Sequence, residues 1–422
     1  MFKKIVLKNG LRLILAPQVQ SQAVTALALF ATGSKYEEKE QSGISHFLEH
    51  LFFKGTSQRP STLAIAETLD RVGGVYNAFT AKEYTGFWAK VSAENFDLAL
   101  DFLSDILLHS KFEAAEIEKE RGVILQEINM TLDTPMSYVE NLWEELLYGD
   151  QPAGWDILGE KETIKKISRR DFLDYFQSQY RAKNAVICLA GKVEGDLEKK
   201  ILEKFSALKK NEARRKLPVK ESQIKPEALC YFKETDQTHL CLGARAYDLF
   251  HPDYWVLKVL AKILGGMMSS RLFISVREKK GLAYYVQTAA ESYTDSGYLV
   301  TQAGVDNSKV GETIKTVLKE YQKIKQKKIF AAELKKAKEN LKGLTLLSLE
   351  SSDGLASWLS LQEILKKEIL TTQELFGKIE MVKAEDLTRV ANDIFQPKNL
   401  NLALIGPFKE KEKFEKMLKI SQ

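Results

Sequence analysis

The sequence predicts an α+β protein of two homologous domains, each about 210 residues long and each an antiparallel-rich sheet packed with several helices. Three observations carry that expectation. A chain of 422 residues is too long for one ordinary core and suggests two or three domains. The segment Lys183-Asn184-Ala185-Val186-Ile187-Cys188-Leu189-Ala190-Gly191 recurs as Lys398-Asn399-Leu400-Asn401-Leu402-Ala403-Leu404-Ile405-Gly406, an offset of 215. At the same offset Ile164 matches Ile379, Asp171-Phe172 matches Asp386-Leu387, and the run 24–29 falls on 239–244. Each copy thus opens with strands, passes through long helices and closes on a strand after a Lys-Asn turn.

The first domain is assigned to 1–208. Its start, Met1-Phe2-Lys3-Lys4, resembles the basic end of a signal peptide, but the apolar run stops at Lys8-Asn9-Gly10, a hairpin turn between two strands. The stretch 42–53 reads as a helix that puts His46 and His50 one turn apart on one face, with Glu49 beside them. Phe47, Leu48, Leu51 and Phe52 make the rest of that helix apolar, so it is expected to be buried. Buried imidazoles and a carboxylate need a partner, and two neutral imidazoles at this spacing can ligate one tetrahedral Zn²⁺. The order is His-x-x-Glu-His, the inverse of the commoner zinc-protease helix. The chain has only five histidines, so two placed here point to zinc rather than to chance.

Gly73-Gly74-Val75-Tyr76-Asn77-Ala78-Phe79-Thr80 reads as a tight turn feeding a strand, by itself an ordinary sheet edge. A helix is expected over 112–130, with Ile117, Val123, Ile124 and Ile128 as its inner stripe and Glu120 and Glu127 two turns apart on one face. A hydrolytic zinc takes three protein ligands and one open position. Spacing leaves either glutamate as the third ligand, among other acidic residues of the same helix. The basic, Pro-containing segment 209–226 reads as a linker to a second domain over 227–422. At offset 215, His46, Glu49 and His50 fall on Ala261, Leu264 and Gly265, so one metal per chain is expected, in the first half. Gly265-Gly266 lacks the pattern of a phosphate loop, and the lysine-rich stretch 319–342 reads as a solvated helical face.

Composition narrows the rest. With 44% hydrophobic and 28% charged residues the chain is of globular type, and a net charge of +5 over 62 basic and 57 acidic residues gives no reason to expect nucleic acid. Cys188, Cys230 and Cys241 are too few and too scattered for a disulfide framework. No run of 18 apolar residues exists, so no membrane span is expected and a cytoplasmic location is the default.

His46-Phe47-Leu48-Glu49-His50, followed after 76 intervening residues by Glu127 within Glu120-Arg121-Gly122-Val123-Ile124-Leu125-Gln126-Glu127-Ile128, resembles the pitrilysin and mitochondrial processing peptidase family, the inverzincin metallopeptidases. The resemblance covers the whole chain, duplication included. It implies that His46, His50 and Glu127 ligate Zn²⁺, that Glu49 is the general base and that Glu120 orients a ligand. It implies substrate backbone bound along an edge strand at Asn77 and Ala78, and Phe53 lining the pocket beyond the cut bond. In the second half, Arg277 and Tyr284 match a pair that faces the active site across the cavity; Arg277 would hold substrate carbonyls, and Tyr284 would assist catalysis by stabilising the oxyanion. The expected activity is that of a zinc endopeptidase acting on peptides or unfolded segments in a closed chamber. The two-domain chain is half of a clamshell, so a homodimer is expected, with a heterodimer with a zinc-less homologue as the other arrangement. The Arg277 and Tyr284 pair would then serve either its own zinc site or the partner's. A non-catalytic assembly subunit, and a catalytic subunit that needs an unlike partner, are the competing functions.

Overall fold

The structure, a computed structural model, describes residues 2–193, 195–327 and 329–420. The chain gathers into two compact units. The first takes Met1–Asn129, Trp155–Leu217 and Leu346–Ile369; the second takes Met130–Gly154, Pro218–Thr345 and Leu370–Gln422.

The first unit is built on a six-stranded sheet: β1 (Lys3–Val6), β2 (Arg12–Pro17), β3 (Ala23–Phe30), β4 (Val75–Thr80), β5 (Thr85–Ser92) and β6 (Ala185–Gly191), in the order β1-β2-β6-β3-β5-β4. Only β2 and β6 run parallel; the other neighbours are antiparallel. Gly10, at φ 89°, closes the β1–β2 hairpin at the expected turn. β3 and β6 are almost wholly apolar because they lie mid-sheet with both faces covered. Leu27, Leu29, Val186 and Cys188 point to one face, where they pack with Ala356, Leu359 and Ile364 of the helix Ser352–Lys366. Phe30 and Phe87 lie on the other, in edge-to-face contact with each other, and Phe87 meets Phe52 in the same way.

The second unit repeats the plan with β7 (Glu227–Phe232), β8 (Gln237–Arg245), β9 (Ala283–Ser292), β10 (Gly297–Asp306) and β11 (Leu400–Gly406), in the order β7-β11-β8-β10-β9. Its one parallel pair, β7 with β11, is the counterpart of β2 with β6. Adding 215 to the bounds of β2 and β6 gives those of β7 and β11. The helix Pro135–Tyr148 covers this sheet through Val139, Leu142, Trp143 and Leu147, packed on Cys241, Ala403 and Ile405. The two halves of the sequence therefore exchange helices: each sheet is covered by a helix from the other half. The exchange follows the duplication, since 135–148 shifted by 215 is 350–363. Residues 209–226 form no helix or strand, and the boundary between Leu217 and Pro218 falls among them.

Candidate metal centre

The centre lies wholly in the first unit. The histidine helix runs Ile44–Leu51, and Phe47, Leu48, Leu51 and the following Phe52 are buried as expected. Its start is set by Glu37, whose carboxylate accepts hydrogen bonds from the Gly43 N–H and the Ser45 N–H, both at 2.8 Å. Glu37 thus does the work of a capping side chain. Gly43, at φ 94°, makes the turn into the helix, and a Cβ there would lie 2.6 Å from the Leu158 carbonyl oxygen. Burial raises the Glu37 carboxyl to about 7, against the hydrogen bonds it receives.

The glutamate helix spans Ala114–Leu132. Ile117, Ile124 and Ile128 are buried, but Val123 is not part of the inner stripe: it is 41% exposed. At 100° per residue it stands about 100° from Ile124, round the side of the helix. Glu120 and Glu127 share one flank of the stripe, and that flank faces the histidines.

His46 Nε2 and His50 Nε2 are 3.2 Å apart. Glu127 Oε2 lies 3.8 Å from the first and 3.7 Å from the second. All three ligand atoms fall within 4.8 Å of one another, the one such group of His, Cys, Asp and Glu among the described residues. Ligands about 2.0–2.1 Å from a tetrahedral ion stand roughly 3.3 Å apart, so these spacings fit a single Zn²⁺. Two imidazole nitrogens and a carboxylate turned toward one point also lack any donor among them except a ring N–H, whereas a cation satisfies all three.

Glu120 serves a different purpose. It is 5% exposed; Oε1 accepts from His50 Nδ1 at 2.8 Å, and Oε2 is 2.6 Å from Lys54 Nζ. With its proton on Nδ1, His50 presents the lone pair of Nε2 to the centre. Burial opposes charge on His50, but the Glu120 hydrogen bond and the nearby carboxylates outweigh it and raise its pKa. His46 moves the other way: burial first, then His50, lowers it to about 3, which keeps the ring neutral as a ligand must be. Burial would raise Glu120, and its bonds to His50 and Lys54 bring it below the ordinary value instead.

Glu49 stands on the same helix and accepts from Thr80 Oγ1 at 2.5 Å; burial raises its pKa. Thr80 ends β4, the outer strand of the sheet, which also carries Asn77 and Ala78. Asn77 is exposed, and its Oδ1 accepts from the Ala78 N–H at 2.9 Å. Phe53 is half-buried and stacks on Tyr76 of β4, with centroids 5.8 Å apart. The structure therefore gathers His46, Glu49, His50, Glu120 and Glu127 at one place, with Phe53, Asn77 and Ala78 on elements that border it. Arg277 and Tyr284 belong to the second unit. Arg277 lies next to the end of a π-helical turn, Phe273–Glu278, with its guanidinium 4.9 Å from the Phe273 ring centroid. Tyr284 is on β9 and 77% exposed.

Among the described residues the second unit has no matching centre. Gly265, the counterpart of His50, is packed so closely that a Cβ would lie 2.2 Å from Thr288 Oγ1. Lys335 and Lys342 stand where the repeat of Glu120 and Glu127 would fall. That reversal of charge is a signal in the sequence at both glutamates, shared with Glu113, which falls on Lys328. Glu37 and Thr80 were not singled out by sequence reasoning, and no pattern marks them: each meets the centre through the fold.

A duplicated α+β chain with one inverted His-x-x-Glu-His centre defines a class of protein, and comparison with known proteins identifies it. Residues 13–161 match the family model for insulinase, peptidase family M16, and 166–341 match that for the peptidase M16 inactive domain. A Bacillus subtilis protein named as an uncharacterized zinc protease, YmxG, is 37% identical over 96% of this chain and 98% of its own. One from Rickettsia felis, with the same description, is 36% identical over 95% and 96%. A solved protease structure from Helicobacter pylori superposes with a TM-score of 0.91, at 26% identity over 96% of this chain and 99% of its own. The chain belongs to the M16, or pitrilysin, family of peptidases.

Proposed function

We propose that the protein is a zinc-dependent endopeptidase that hydrolyses peptides or unfolded polypeptide segments. The observation that carries the reading is the convergence of His46 Nε2, His50 Nε2 and a Glu127 oxygen at tetrahedral spacing, beside a carboxylate, Glu49, that is not a ligand. Relatives at 36–37% identity named as zinc proteases support it. His46, His50 and Glu127 would hold a Zn²⁺, which would supply Lewis acidity for activating water and polarising a peptide carbonyl.

The chain's own groups do the rest. Glu49 takes the proton of the attacking water and returns it to the leaving amine. Thr80 fixes the Glu49 carboxylate through its hydroxyl, and the raised pKa from burial suits a group that must hold the proton in transit. Glu120 fixes the tautomer and orientation of His50. β4, open along its outer edge, takes substrate backbone as an added strand at Asn77 and Ala78, which makes recognition largely indifferent to side chains. Phe53 offers an apolar wall beside it. Arg277 and Tyr284 contact the substrate carbonyl region, and two copies of the chain enclose the chamber.

Turnover of an internally quenched peptide, measured with metal content on wild type and on Glu49→Gln, tests the proposal. Wild type should cleave with one zinc per chain and stop after chelation, and the variant should keep zinc without cleaving. Wild-type turnover by the Glu49→Gln chain would overturn the assignment of the base, and cleavage untouched by chelation would overturn the metal.

A further inference from the structure

Among the described residues, two non-glycine positions have a left-handed backbone, Lys367 at φ 58° and Phe112 at φ 50°. Lys367 follows the helix Ser352–Lys366, where one such residue is a common stop. Phe112 is a different case. It is a buried aromatic residue in a conformation that bulky side chains rarely take. It also stands two residues ahead of Ala114–Leu132, the helix that carries Glu120 and Glu127. Backbone strain of this kind persists only where the surroundings impose it.

Those surroundings lead to the histidine helix. The Phe112 ring meets Phe52, the residue that closes that helix, edge-to-face with centroids 5.5 Å apart, and it meets Phe176 at 5.6 Å. The Lys111 N–H donates to the Gly55 carbonyl at 3.1 Å, and Ser110 bridges to Thr56, both on the loop that follows the histidine helix. Arg169 holds the turn from outside: its Nε donates to the Phe112 carbonyl at 2.7 Å and its Nη2 to the Lys111 carbonyl at 3.2 Å. Arg169 opens the helix Arg169–Gln179, whose Phe172 and Phe176 pack on Phe47 and Phe52. The Lys111 carbonyl lies on one side of the φ bond, and the Phe112 ring and carbonyl on the other. Rotation to an ordinary φ would therefore break some of these contacts.

We propose that Phe112 and Arg169 are positioning residues for the third zinc ligand: the strained turn sets the angle at which the glutamate helix leaves the histidine helix, and so holds Glu127 against His46 and His50. The lever is long. Glu127 lies about 20 Å along its helix from Ala114, so a tilt of about 5° at the turn moves its carboxylate by about 2 Å. That displacement is as long as a zinc–oxygen bond, about 2 Å. The inference rests on the zinc reading and adds to it two residues that touch neither metal nor substrate.

Zinc affinity of the full chain, measured by competition against a chelating dye at a temperature where each protein is folded, tests this. Phe112→Ala removes the ring and keeps the unfavourable φ, so the turn relaxes in the metal-free chain and must be forced back on binding. Its affinity should fall about fivefold to thirtyfold, the ordinary cost of a left-handed residue other than glycine. Phe112→Gly lacks the same ring but takes φ 50° freely, and should bind zinc about threefold or more tightly than Phe112→Ala. Arg169→Ala, on an exposed side chain, should weaken zinc about threefold in the wild-type background and cost nothing further in the Phe112→Ala background. A ring that merely fills the core predicts something else: both Phe112 variants melt lower and bind zinc as wild type does. Wild-type affinity in Arg169→Ala, or Phe112→Gly binding no better than Phe112→Ala, overturns the inference and leaves the zinc centre standing. Should the Phe112 variants not fold, Arg169→Ala decides alone. A wild-type chain that binds no zinc overturns the centre itself, and the inference with it.

Discussion

His50 is the residue on which the centre turns. Its Nε2 meets His46 and Glu127, while its Nδ1 is held by Glu120, which Lys54 holds in turn. Glu120→Gln keeps the shape but offers a neutral amide in place of a charged acceptor, so His50 becomes a weaker and less well-oriented ligand. Competition against a chelator should show zinc affinity lowered about 10- to 100-fold. Glu49→Gln should leave zinc affinity unchanged and reduce turnover by roughly 10²–10⁴-fold, the span of a general base. The two substitutions separate holding the metal from moving the proton. His46, Glu49 and His50 were legible in sequence because helical spacing alone puts them together. Glu120 and Glu127 were not separable in that way, since both occupy one flank of one helix; what divides them is which oxygens have other partners. Val123 was misplaced on the buried stripe because an apolar residue beside the stripe looks the same in sequence as one within it.

The histidine helix and β4 each carry a requirement that single residues do not reveal. Glu37 closes the start of the helix, and it is absent from any sequence pattern because its partners are backbone N–H groups brought near by the fold. Burial raises its pKa from 4.5 to about 7. Between those values the folded chain keeps a proton that the unfolded chain has released, so this contribution favours folding below about pH 4.5 and is lost as pH rises through 7, on the order of 3 kcal/mol. Glu37→Gln lacks that slope. Urea unfolding should show wild type losing more stability than the variant between about pH 5 and about pH 8; equal losses would remove Glu37 as the cause. The β4 edge makes a different demand. Ala78→Pro is tolerable on an outer strand but removes an N–H and narrows the backbone, so KM should rise about tenfold while zinc content stays at one per chain. The strands were legible through their apolar runs and the repeat. The exchange of Pro135–Tyr148 and Ser352–Lys366 was not, because an amphipathic helix states that it covers a sheet without stating which sheet.

Across the whole molecule, the duplication has left one unit with a metal centre and the other with Arg277 and an exposed Tyr284. On the proposed reading neither set completes the reaction alone, since one would hold the hydrolytic groups and the other would hold substrate carbonyls through Arg277 and the developing oxyanion through Tyr284. In a homodimer, the Arg277 and Tyr284 of one copy would serve the zinc site of the other, and a twofold axis would make both sites equivalent. Complementation tests that arrangement. His50→Ala removes the centre and leaves the pair; Arg277→Ala with Tyr284→Phe removes the pair and leaves the centre. Each protein alone should be nearly inactive. After the two are mixed and allowed to exchange subunits, half of the dimers combine one of each, and each of these holds one intact site, so about a quarter of wild-type activity should return. Lack of recovery, with exchange verified by a mass label, would mean that each chain serves its own centre. Recovery in the mixture at a concentration where sedimentation shows only single chains would remove the dimer from the mechanism instead.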